Sequence, residues 1–230
     1  MGHHMLAGNP PVALSLRRSA RARRISLRVS GLDGLVTLTI PHGVSEAEAL
    51  AFAHARADWL RGHLAGKPGQ VQVGIGCDLP VEGETLRIVS GEGRRIRCEA
   101  GQLRVPGPVA RVPARLEGWL KARARDRLAA ASDHYARLLG RRYARLALRD
   151  TRSRWGSCST QGTLSYSWRL ILAPPAVLDY VAAHEVAHLA QMNHSPAFWA
   201  EVARLMPDYE TPRAWLRHEG AGLHRYRFGD

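Results

Sequence analysis

The sequence predicts an α+β protein: a β-rich N-terminal lobe with one helix over residues 1–108, then a mainly helical lobe with a small sheet over residues 109–230. Three observations predict it. Short alternating or β-branched runs broken by glycine and proline fill the first hundred residues, Pro106-Gly107-Pro108 interrupts the chain, and apolar stripes at helical spacing follow. With 45% hydrophobic and 23% charged residues, the composition is that of a chain that buries a core rather than one that stays disordered.

Residues 12–18, 25–29 and 35–40 read as strands, bounded by Gly31, Asp33-Gly34 and Pro41. Ser45 is a good N-cap and Glu48 completes a capping box. Leu50, Ala53, Ala57, Leu60 and Leu64 then recur at helical spacing until Gly66 and Pro68 end the helix. Residues 71–105 return to short strands. A long helix carries Leu116, Leu120, Leu128, Ala131, Tyr135 and Leu138 on one stripe and stops at Gly140. Residues 144–150 form the next strand. Another spans 163–172, where Leu164, Tyr166, Trp168, Leu170 and Leu172 alternate with Thr163, Ser165, Ser167, Arg169 and Ile171. Pro174-Pro175 opens the following helix.

Composition narrows the function classes. No apolar run reaches the roughly 18 residues of a membrane span. Asn9, Pro10 and Pro11 interrupt what would be the core of a secretory signal, so a cytoplasmic location is expected. Cys77, Cys98 and Cys158 are odd in number and contain no CxxC pair, which argues against a disulfide framework and against a cysteine-ligated zinc. The formal charge of +13 invites a nucleic-acid partner. The excess is shared between the halves, with 16 basic and 9 acidic groups in residues 1–115 and 17 and 11 in residues 116–230. A spread of that kind is an electrostatic footprint without a focus, and nucleic acid is not the favoured partner.

The chemistry sits in His184-Glu185-Val186-Ala187-His188. Residues four apart lie one turn apart on the same helix face, so two imidazoles there can share one metal ion. Glu185 points about 100° around the helix and is placed to take a proton rather than a coordination position. His194 follows after Asn193 has turned the chain, with Ser195-Pro196 opening another helix, and supplies a third imidazole. Two histidines four apart are common on helices. The intervening glutamate, the third histidine and the apolar setting of Val181, Ala182, Val186, Ala187 and Leu189 make this pair a zinc site. The motif predicts a zinc-dependent metallopeptidase acting on peptide or protein substrates.

Glu201 is an alternative third ligand. Met206 reads as core, Cys158 as a buried thiol, and His218 and His224 as surface residues, while His42, His54, His63 and His134 sit in turn or helix contexts with no partner spacing. His3 and His4, near an N-terminus that reads equally as native or added, are set aside. The strand over 163–172 is expected to pair its exposed edge with an extended substrate. Tyr166, Tyr209 and His218 are candidate donors to the oxyanion. The competing reading is a basic nucleic-acid-associated module, either with a structural zinc, which would need a fourth protein ligand, or as a protease recruited to DNA.

The segments Arg154-Trp155-Gly156-Ser157-Cys158-Ser159, Trp168-Arg169-Leu170-Ile171-Leu172-Ala173-Pro174, Tyr180-Val181, the histidine motif, Asn193-His194-Ser195 and Phe198-Trp199 resemble the YgjP-like metallopeptidase family, a relative of the SprT-like zinc proteases. Arg17-Arg18-Ser19, the strand ending at Pro41 and the helix carrying Trp59 match it more loosely. The resemblance implies a zincin-like catalytic lobe in which His184, His188 and His194 bind Zn2+ and Glu185 is catalytic. The histidine spacing is also that of the metzincins, but Gln191 stands where those carry glycine.

Overall fold

The structure is a computed structural model that describes residues 2–30, 34–65 and 69–229. The chain divides into two units, one ending at Gln70 and one beginning at Val71, and each is described by itself. The expected turn at Gly31 and Asp33 and the expected helix end at Gly66 and Pro68 lie outside the described residues.

The first unit is a four-stranded sheet under two short helices. β1 (Gly2–Leu6), β2 (Val12–Ser19), β3 (Ser26–Val29) and β4 (Val36–Pro41) stand in the order β1-β2-β4-β3, with β2 and β4 parallel and the outer pairs antiparallel. Period-two patterning sets the register, since Val12, Leu14 and Leu16 on β2 and Val36, Leu38 and Ile40 on β4 all face the core. The N-terminal residues set aside in the sequence form β1. The single helix expected after Ser45 is two, α1 (Glu46–His54) and α2 (Ala57–Ala65). Ser45 Oγ accepts from the Glu48 N–H at 3.2 Å, as a cap should. The Arg56 N–H bonds back only three residues, to Ala53 O, which tightens the turn and breaks the α ladder there.

The second unit contains β5 (Val71–Gln72), β6 (Asp78–Val81), β7 (Glu84–Gly91), β8 (Arg97–Glu99) and β9 (Gln102–Pro106), then the long α3 (Val112–Leu139). Next come β10 (Arg145–Arg149), β11 (Gly156–Cys158), β12 (Thr163–Ser167), α4 (Pro175–Ala187), α5 (Pro196–Leu205), α6 (Glu210–His218) and β13 (Tyr226–Arg227). The sheet β6-β7-β9-β8 buries Leu79, Ile88, Leu103 and Val105 in the same apolar core as Leu116 and Leu120 of α3 and Val181 and Ala182 of α4. That shared core places the division at Gln70 rather than after Pro108, because the sheet of β6 to β9 has no other core, whereas β1 to β4 have one of their own. Gly140, at φ 72, closes α3 in the left-handed cap that glycine adopts at little cost. Leu138 is 50% exposed instead of buried, and Leu139, four residues after Tyr135, continues the stripe in its place.

The strand expected over 163–172 ends at Ser167, and Trp168–Leu172 is a 3-10 helix with all five residues buried. A half-buried strand would turn Arg169 and Ile171 to solvent. Arg169 is held inside by Asp150 (Nε to Oδ1, 2.7 Å; Nη2 to Oδ2, 3.2 Å) and donates to the carbonyl of Tyr226 at 3.0 Å. Beside it His224, read from the sequence as a surface residue, is 7% exposed and packs on Trp155 at 4.9 Å. Burial, with Arg169 adding to it, lowers the His224 pKa from 6.5 to about 4. The unfolded chain therefore takes up this proton first, and stability is expected to fall as pH drops from 6.5 towards 4. Urea midpoints of the wild type should decline through that window and those of His224→Gln less steeply; equal slopes would exclude His224 as a source.

β12 is the centre of the sheet β10-β12-β11, parallel to β10 and antiparallel to β11, so neither of its edges is free. This corrects the expectation that the 163–172 strand offers an edge to substrate. Among the described residues no helix is long and apolar enough to cross a membrane.

Candidate metal centre

α4 starts at Pro175, where a missing N–H costs nothing, and delivers His184 and Glu185 in its last turn with His188 as C-cap residue. The Ala190 N–H bonds to Ala187 O, the chain turns, and Ser195 Oγ caps α5 by accepting from the Phe198 N–H. His194, immediately before that cap, is thereby aimed back at the other two rings. Ring centroids are 5.0 Å apart for His184 and His188, 5.0 Å for His184 and His194, and 4.8 Å for His188 and His194. One nitrogen from each ring lies within 4.8 Å of the others, and the Nε2 atoms of His184 and His194 are 3.0 Å apart. Phe198, fully buried, touches all three rings at 4.4 to 4.9 Å between centroids and forms the floor beneath them.

The donor chemistry suits a divalent ion. Nδ1 of His188 lies 3.0 Å from Gln191 O, and since a carbonyl only accepts, Nδ1 carries the proton and Nε2 keeps its lone pair. Nδ1 of His184 is buried without a hydrogen-bond partner. Burial lowers the pKa of His184 to about 3, with its two neighbouring histidines and Arg213 contributing, and burial lowers that of His188 as well. Both shifts favour the neutral imidazole, the form in which a ring can bind a metal ion. Three imidazoles fit zinc well, and Glu201 is not in the group, being paired with Arg204 at 2.9 Å.

Glu185 is 5% exposed, and burial raises its carboxyl to about 8, against the opposing charge of Arg154. Gly156 of β11 passes directly over it. A Cβ added at Gly156 would lie 2.5 Å from Oε1 and 2.6 Å from Cγ of Glu185, so only glycine permits this approach. Spacing along the chain carries no trace of that contact, and sequence reasoning missed it.

The other candidates divide. Tyr209 reaches the site, stacked on Trp199 at 5.7 Å, and Trp199 flanks His194 at 5.9 Å. Tyr166 does not present an open donor: it is 1% exposed and its hydroxyl is bonded to Ser132 Oγ at 3.0 Å, because the inward face of β12 points into the core. His218 is exposed at the end of α6 and makes no ring contact with the three histidines among the described residues.

A family model described as YgjP-like, metallopeptidase domain, matches residues 23–219. No curated protein matches the chain. Among solved structures, the chain is similar to the metallopeptidase zymogen abylysin of Pyrococcus abyssi at 21% identity and a TM-score of 0.36, over 40% of this chain and 95% of that one.

Proposed function

This chain belongs to the YgjP-like metallopeptidase family, and we propose that it hydrolyses peptide bonds at a zinc ion held by His184, His188 and His194 with Glu185 as the general base. The observation that carries this reading is the convergence of three imidazole nitrogens beside a carboxyl group buried almost completely. When bound, zinc on neutral nitrogen ligands supplies a Lewis acid that polarises a carbonyl and acidifies water towards pKa ≈ 7. Glu185 sits on the same helical turn without being one of the converging ligands. Its carboxylate, made more basic by burial, accepts a proton from water at an Oε atom and returns it to the departing amine.

An extended peptide has a place to lie. β11 is the terminal strand of its sheet, and its outer edge has no strand partner among the described residues. Pairing along β11 would bring a substrate's main chain past Gly156 and hence past Glu185. The three-histidine group contains no fourth ligand among the described residues, which favours a catalytic over a structural zinc.

Metal analysis of protein lacking His3 and His4 is expected to find a single zinc equivalent, and cleavage of a peptide library is expected to stop with chelator and resume with Zn2+. Cleavage indifferent to the chelator would overturn the assignment. Gly156→Ala, by displacing the Glu185 carboxylate, is expected to lower kcat on the order of 10²-fold, the effect of misplacing a reacting group by about 1 Å. Zinc content should be unchanged; wild-type turnover in that variant would remove Gly156 from the account.

A further inference from the structure

An aromatic wall stands beside the histidines. Trp199 lies 5.7 Å from His184 and 5.9 Å from His194, Tyr209 stacks on Trp199, and Tyr180 lies 5.9 Å from His184 and 6.4 Å from Tyr209. The Arg213 guanidinium rests on this wall, with Cζ 4.1 Å from the centre of the Trp199 ring. Arg213 on α6 follows Tyr209, the N-cap residue of that helix, by four residues, and both side chains pack on Trp199.

Arg213 is half-buried, and among the described residues it forms no ion pair. The buried Arg169 of the same unit, by contrast, is paired with Asp150 at 2.7 Å. A cation withdrawn from water needs an anion nearby, and one placed next to a site for a divalent cation needs it more. Its charge already reaches His184 and Tyr180. The missing counter-charge is one that the substrate would bring.

We propose that Arg213 is an anion anchor of the metal centre: held on Trp199, it receives an oxyanion borne by the substrate, with the Tyr209 hydroxyl as a neighbouring donor. This rests on the peptidase reading and deepens it. The oxyanion has two sources, the scissile carbonyl oxygen as it gains charge or a free C-terminal carboxylate next to the scissile bond. Both are met by the same planar, charge-assisted donors.

The test uses the zinc-loaded full chain and two phosphinic peptides, which carry a tetrahedral anion at the scissile position and end in either a free or an amidated C-terminus. Calorimetry is expected to show Arg213→Gln binding at least one of them about tenfold to a hundredfold more weakly than wild type, the range for truncating a charge-assisted bond. Arg213→Lys should recover part of the loss, which a purely packing role would not produce. Loss on both peptides assigns the scissile oxygen; loss on the free-carboxylate peptide alone assigns the terminus. Binding of both within twofold of wild type by a variant with an unchanged thermal midpoint would overturn the role of Arg213 and leave the peptidase reading standing. If wild type with its zinc bound takes up neither peptide, both fall.

Discussion

Glu185→Gln is expected to lower kcat about 10³-fold or more, within the range of 10²–10⁴ that a positioned base contributes. Glutamine matches the shape of glutamate but its amide cannot take a proton, so the substitution removes the chemistry and little else. The residue lies off the converging ligand atoms, hence zinc content should stay at the wild-type level. Stability should rise slightly. Burial works against the charged carboxylate in a pocket closed by Gly156, and a neutral amide there is free of that penalty. Turnover of a peptide pool and the thermal midpoint are the two readouts. Residual turnover within tenfold of wild type would mean that another group carries the proton.

The second large effect is on the metal. Zinc-finger sites bind with about 10–16 kcal/mol over four ligands, so one imidazole accounts for about 2.5–4 kcal/mol, on the order of 10²–10³-fold in affinity. His194→Ala is the clean substitution. His188 is 8% exposed and stacked on Phe198, so its removal would also open a cavity, whereas His194 is exposed and its loss leaves the packing intact. Competition with a chromogenic chelator should show the weakened affinity, with an apo-protein melting point equal to that of wild type. Wild-type zinc affinity in this variant would show that His194 is not a ligand, and the three-nitrogen site would have to be abandoned.

Much of the secondary structure was legible because it follows from local periodicity. The alternating core positions of β2 and β4, the Ser45 and Ser195 caps and the glycine stop at Gly140 are all readable from a few neighbouring residues. Residues 168–172 were not. Apolar residues at alternate positions promised a strand, but every one of the five side chains is buried, and a run enclosed on all sides satisfies a 3-10 turn as well as a pleat. The same holds for the boundary at Pro108, where a strong local break separates two segments that share one core.

The site shows the same division. The sequence by itself determined that His184 and His188 share a face with Glu185 between them, because 3.6 residues per turn fixes those directions whatever the rest of the chain does. Only the tertiary structure decided that His194 closes the triangle over Phe198, that β11 crosses Glu185 at a glycine, and that Tyr166 turns into the core while Arg213 comes to Trp199 beside the histidines. These contacts join elements far apart along the chain. Their geometry is set by how whole helices and strands pack, which no short-range pattern encodes.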